Sequence, residues 1–312
     1  MNAQVDVNRG DAARTDRDQP RCRILSDEAN ARYRRDGFAV VKGFFDAEEI
    51  APIRAGCGRT AHLSNVQTQV RDGAGRSYGV AIWTQIDDSL LGMLPCMERI
   101  VVAVESLLGR SCYHWHSKLL RKQPGDGEVG IHQDYATWYE DGCLFPHLLT
   151  CSIIIDASHR ENGGVYFIPG SHRMARIHRV LLGDTIDQHG PDPAAVQAAV
   201  QRLGLVYPTL SAGDAVFFHC NTLHGSDPNT SDQARTVIHC SYNAVDNQPL
   251  SRPGQEHHRY RPMRRVADDF IVKRRYSAVL REASFHPAES EDDVGAGIFF
   301  RSCDRDVASP TR

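Results

Sequence analysis

His132 and Asp134 are separated by one residue, and an imidazole beside a carboxylate at that spacing is half of a metal site. A strand repeats every two residues, so His132-Gln133-Asp134, read as strand, points both groups to one face. A third candidate, His224, lies ninety residues after Asp134, just past the strand-like stretch Asp214–Cys220, where a folded-over sandwich returns it opposite the pair. Two histidines and one carboxylate on one side of Fe(II) leave the other positions open for small molecules, which chemistry with O2 as cosubstrate requires.

An H-x-D tripeptide alone is weak evidence, and Arg235 supplies context. It follows His224 by eleven residues, after the turn-rich HGSDPNTSDQAR and at the start of the strand-like RTVIHCSY. A guanidinium grips a carboxylate through two parallel hydrogen bonds, which suits the distal end of 2-oxoglutarate while its keto-acid end chelates iron.

These residues need a scaffold. SDEANARYRRDGFAVVKGFFDAEEIAPIRAG reads as helix, strand, helix: Ser26 caps the first helix, Gly37 ends it, and Asp46 with Glu49 forms a capping box for the second. Residues 95–109 carry apolar residues at helical spacing up to Gly109. From Tyr113 onward come short β-rich runs: YHWHSKLL, VGIHQDY, LLTCSIII, GGVYFIPG, LVYPTL, DAVFFHC and RTVIHCSY. The expected fold is mainly β with flanking helices, a cupin-like jelly roll or double-stranded β-helix. The expected organisation is a disordered tail over 1–22 and one domain over 23–312. That domain carries a partly helical insertion at 173–204 and a basic extension at 250–312, read as a solvated helix face.

Composition narrows the function. Hydrophobic residues make up 41% and charged residues 24%, a globular balance, and the net charge of -3 offers no excess cation for a phosphate backbone, so no nucleic-acid partner is expected. Apolar runs are too short to cross a bilayer and the N-terminus lacks a secretory stretch, which makes a cytoplasmic location the default and a membrane role unexpected. Nine cysteines without C-x-x-C spacing argue against a disulfide framework and a thiolate zinc site.

The chain resembles the phytanoyl-CoA dioxygenase family, nearest its ectoine hydroxylase branch. The matching pieces are YRRDGFAVVKGFF, IHQDYATWYEDG, ENGGVYFIPGSHR, GDAVFFHCNTLHGS and NTSDQAR, in family order over about residues 30–245. The resemblance implies that His132, Asp134 and His224 hold iron, that Arg235 binds 2-oxoglutarate, and that Thr150 helps hold the same carboxylate. His116 and Leu120 stand where the ectoine hydroxylase pattern has polar residues facing the cosubstrate, with Lys118 between them. His116 and Lys118 are thus cosubstrate candidates, and Leu120 is a departure from that branch. The family's halogenating relatives lack the carboxylate ligand; Asp134 is present, so hydroxylation is favoured, while desaturation, epoxidation and cyclisation use the same ligands.

Tyr135 and Trp138 are candidates for an aromatic wall over a small-molecule substrate, amino-acid-like or a natural-product intermediate, with the Tyr78–Trp83 stretch, the insertion and the C-terminal tail as other pocket candidates. The basic tail could also steer a CoA ester or a carrier protein. His172 and His219 read as structural, and Gly163-Gly164 as a turn. Two other classes compete: a zinc hydrolase, against which stand the missing H-E-x-x-H and the idle Arg235, and a non-catalytic cupin-like binding protein, against which stands the intact triad.

Overall fold

A computed structural model describes residues 25–58, 67–181, 189–250 and 259–281. The expected tail over 1–22 lies outside the described residues. Helix α1 (Asp27–Asp36) begins where Ser26 Oγ accepts from the Ala29 amide at 3.2 Å and ends at Gly37, whose φ of 83° is the left-handed conformation glycine adopts without strain. Strand β1 (Phe38–Val41) leads to α2 (Ala47–Cys57), opened by the Asp46–Glu49 capping box. A further helix, Glu98–Leu108, stops at Gly109.

Among the described residues seven strands form the large sheet, in the order β1-β10-β6-β12-β4-β3-β2 with β2 (Thr68–Arg71) at its edge, and β5, β11 and β7 form a second sheet of three. The members that carry the site are β3 (Ser77–Trp83), β4 (Cys112–Lys122), β6 (Leu148–Ile154), β10 (Ala215–His219) and β12 (Arg235–Ala244) in the large sheet, with β5 (Val129–His132), β7 (Val165–Phe167) and β11 (His224–Ser226) in the small one. Every pairing within these two sheets is antiparallel, the layout of the expected jelly roll.

Alternation along the large sheet divides its two faces. Leu119, Cys151, Ile153, Phe217, Ile238, Cys240 and Tyr242 point outward and pack with the helices in the main core. Val80, Leu120, Ile154, Val216, Phe218 and Val237 point inward toward the small sheet. On that inner face, rows of polar side chains interrupt the apolar ones.

Two expectations change, for LVYPTL and for the basic extension, and the partly helical insertion gains a strand pair. LVYPTL is not a strand: Val206 and Leu210 make only isolated bridges, to Phe167 and Ser158. The insertion holds a short strand pair, Arg179–Leu181 with His189–Pro191, and the helix Pro193–Leu203. The described part of the basic extension, 259–281, is mostly irregular rather than a helix face. It straps onto the helical layer: Phe270 and Ile271 are buried in the main core, the Glu98 amide donates to Val266 O, and Arg265 pairs with Glu98 and Glu105. Among the described residues no helix is long and apolar enough to cross a membrane.

Beneath the strap, Arg99 and Glu49 form an ion pair at 2.8 Å, each side chain only 2% exposed. Replacing Glu49 with alanine strands a buried guanidinium against Phe44 and Phe45, and the expected loss is about 3–5 kcal/mol of stability in urea unfolding.

Candidate metal and cosubstrate site

The small sheet and the helix after it build the first half of the site. His132 closes β5 and pairs in register with His224 at the start of β11. Asp134 is not a strand residue as the H-x-D spacing suggested; it is the first residue of the helix Asp134–Glu140. The two side chains still meet, because the strand ends at His132 and the helical turn swings the carboxylate back. His132 Nε2 lies 3.6 Å from Asp134 Oδ1 and His224 Nε2 lies 3.9 Å from Asp134 Oδ2. One ligand atom from each of the three falls within 4.8 Å of the others, spacing that fits a single ion.

Both imidazoles are oriented from behind. His132 Nδ1–H donates to Gly130 O at 2.8 Å and His224 Nδ1–H to Thr222 O at 2.9 Å, leaving each Nε2 lone pair toward the shared centre. Between the ligands, Gln133 points away and locks the junction: its Nε2 donates to Asn221 O and Oδ1, both at 2.9 Å, and its Oε1 accepts from the Ile177 amide at 2.8 Å. Burial raises the Asp134 carboxyl, but the His132 contact and the charges of His224 and Lys118 outweigh it and hold the group well below the usual carboxylate range. Burial, then His132, pushes His224 down to about 4. An anionic carboxylate and neutral imidazoles are the protonation states that bind a divalent ion.

An open cavity separates the triad from the large sheet. At one end is Arg235, 3% exposed, whose Nε has no hydrogen-bond partner. Burial lowers it to about 10, with Asp156 opposing, so it stays cationic at neutral pH. A buried guanidinium with an unsatisfied donor facing a cavity fits a carboxylate ligand. Tyr78, Ser226 and Gly225 also line the cavity, and Leu120 and Val80 lie between Arg235 and the next polar row. Behind Ser226, fully buried Lys122 donates to its Oγ and to Asp227 O, both at 2.7 Å; burial, then Arg235, pushes this lysine down to about 6.

Thr150 sits elsewhere. It pairs with Ser241, six residues beyond Arg235 on β12, which is about 20 Å along the strand. Its Oγ1 shares a 2.9 Å hydrogen bond with Ser241 Oγ. Thr150 lines the same cavity, but at the opposite end from Arg235.

Among the other candidates, Lys118 lines the cavity. His116, Tyr135 and Trp138 are not among its lining residues. Trp138 packs against Trp115 and His116, and Tyr135 donates its hydroxyl to Leu144 O at 2.7 Å within the same buried cluster. The described part of the C-terminal extension does not reach the cavity either.

Sequence reasoning missed Ser226 and His239. His239 is cross-strand partner to Lys118, and its Nδ1 lies 2.7 Å from Ser152 Oγ. The available signal was parity: His239 and Ser241 alternate with outward-facing Ile238 and Cys240 on the strand that opens with Arg235.

Burial pushes three further histidines down, His114 and His219 to about 4 and His239 to about 3. Their folded values lie below the ordinary 6.5, so between pH 6.5 and 4 the unfolded chain takes up protons that the folded chain does not. Stability is therefore expected to fall as pH drops through that window, by roughly 3 kcal/mol per histidine at its end. Urea midpoints of the metal-free protein against pH measure this.

Comparison with known proteins agrees with this geometry. A model of the phytanoyl-CoA dioxygenase (PhyH) family matches residues 33–237. The ectoine dioxygenase of Stutzerimonas stutzeri is 31% identical over 243 residues, covering 72% of this chain and 78% of its own. The crystal structure of EctD from S. alaskensis with 2-oxoglutarate and 5-hydroxyectoine superposes with a TM-score of 0.65 at 24% identity, over 80% of this chain and 92% of that one; EctD also has a crystal structure with bound Fe. The carbocyclase SnoK from nogalamycin biosynthesis shares the fold, with a TM-score of 0.62 at 24% identity over 78% and 94% of the two chains. The family match over most of the chain and the close curated relative establish that the chain belongs to the phytanoyl-CoA dioxygenase family, as an Fe(II)- and 2-oxoglutarate-dependent dioxygenase.

Proposed function

We propose that the protein hydroxylates an unactivated C–H bond of a small molecule, amino-acid-like or a natural-product intermediate, with release of succinate and CO2. The observation that carries this reading is Asp134: the carboxylate is present and aimed at both imidazoles, so the third protein ligand is not surrendered to a halide.

In this reading His132, Asp134 and His224 hold the iron, and Arg235 grips the far carboxylate of 2-oxoglutarate. With 2-oxoglutarate and O2, the bound iron supplies an oxidant able to take hydrogen from an unreactive C–H bond. The chain supplies placement and dryness. Arg235 fixes one end of the cosubstrate, Leu120 and Val80 present apolar surface to its methylenes, and Phe218, 4.6 Å from the His224 ring, walls the metal side from solvent.

The test is turnover under 18O2. The iron-loaded protein is expected to convert 2-oxoglutarate to succinate, and one 18O atom is expected in the oxidised substrate. A product two hydrogens lighter with no label would replace hydroxylation with desaturation or ring closure. Absence of succinate from folded, iron-loaded protein would contradict the reading itself.

A further inference from the structure

No described residue of the insertion at 173–204 lines the cavity. The insertion packs instead behind the metal triad, against the chain neighbour of each ligand. Ile131, which precedes His132, and Leu223, which precedes His224, share a small apolar cluster with Ile177, Val196, Ala199 and Val200 of the insertion. Strand alternation turns Ile131 to the face opposite His132, so the cluster bears on the back of the small sheet while the imidazoles point into the cavity. Gln133, which precedes Asp134, accepts from the Ile177 amide at 2.8 Å. All three ligands are backed by one segment.

The carboxylate ligand depends on this support most. Asp134 opens a helix of seven residues, and Gln133 gives that helix no side-chain cap. A helix this short does not hold itself in water, so tertiary contacts decide where its first residue points. The insertion grips it at both ends. At the front is the Gln133–Ile177 bond. At the back, Arg179 Nη1 donates to Glu140 Oε2 at 2.7 Å, with the two side chains 8% and 23% exposed, and the Arg176 guanidinium lies 4.4 Å from the centre of the Tyr139 ring. An ion pair this far out of water is screened less than a surface pair.

We propose that the insertion is the backing of the metal centre, and that Arg179, through Glu140, is a positioning residue that holds the Asp134 carboxylate toward the two imidazoles. Ligands converged before the ion arrives lose less freedom on binding it, so the clamp acts on metal affinity. The inference rests on the triad assignment and adds to it a role for a segment that contributes no ligand.

The test measures Fe(II) affinity of the full-length protein by anaerobic equilibrium dialysis, and amide hydrogen exchange of the metal-free protein. The variants are Arg179→Met, Arg179→Lys, Glu140→Gln and the Arg179→Met/Glu140→Gln double. Arg179→Met is expected to weaken Fe(II) binding about tenfold, the low end of the range for losing a residue that orients a ligand. Glu140→Gln should weaken it in the same direction, and the double variant should be no weaker than Arg179→Met alone, because both changes break one contact. Arg179→Lys, which keeps the charge and a donor, should restore most of the affinity. In metal-free Arg179→Met, exchange should rise over Asp134–Glu140 and stay at the wild-type rate over Glu98–Leu108. A pair that only stabilises the fold would lower the melting temperature and leave both the Fe(II) Kd and the exchange of Asp134–Glu140 unchanged, which overturns the proposal. Losses that multiply in the double variant would overturn it too. Should Arg179→Met not fold, Glu140→Gln, which keeps the side chain's shape, decides by the same two readouts. Wild type that takes up no iron would sink the triad assignment, and the exchange pattern of the metal-free protein would still decide the clamp.

Discussion

Replacing Asp134 with alanine is expected to lower Fe(II) affinity by more than about 100-fold and to bring 2-oxoglutarate turnover to background. Losing a partner that only orients a ligand costs about 10- to 100-fold in metal affinity, so losing a ligand should exceed that range. Asp134 is the one anionic member of the triad, and two neutral imidazoles alone hold a divalent ion poorly. The fold should survive, because the junction is locked by Gln133 and by the Tyr135 amide donating to Cys220 O at 3.0 Å, neither of which uses the aspartate side chain. Equilibrium dialysis against Fe(II), with circular dichroism as the folding control, measures this. Full iron stoichiometry and unchanged turnover in Asp134→Ala would refute the assignment.

Arg235→Ala is expected to raise the Kd for 2-oxoglutarate about 100-fold. Two charge-assisted hydrogen bonds to one carboxylate are together worth about 3 kcal/mol at the lower end of their range, and 1.4 kcal/mol is tenfold. Arg235→Lys keeps the charge without the planar fork and should recover only part of the affinity. A structural arginine would leave the metal-free protein less stable when removed. Here the opposite is expected: Arg235 carries an unpartnered buried Nε, so the melting temperature of the metal-free Arg235→Ala protein should be unchanged or higher.

Local rules carried the helical layer and most strand identities, LVYPTL being an exception. Ser26, Gly37, Asp46, Glu49 and Gly109 act within one or two turns of backbone, and each does what its position in the sequence implies. The metal residues were legible because types and order suffice for them, although the reason that His132 and Asp134 meet was misread: a strand ending into a helix replaces a continuous strand. What was not legible is register. That Thr150 lies opposite Ser241 rather than Arg235, and that Lys118 lies opposite His239, follows from pairings between strand residues 91 and 121 positions apart (239 − 118 for the second), and nothing local encodes them. Long-range packing likewise decided the basic extension, where Phe270 and Ile271 outweigh the surrounding cations and tie the segment to the helices.

The most direct measurement is an anaerobic titration of metal-free protein with Fe(II) and 2-oxoglutarate, observing the weak visible charge-transfer band of a chelated keto acid. Saturation at one iron and one 2-oxoglutarate per chain, with the 2-oxoglutarate midpoint displaced about 100-fold in Arg235→Ala, is the predicted result. A folded, iron-loaded wild-type protein that develops no band, or a midpoint indifferent to Arg235, would contradict the account.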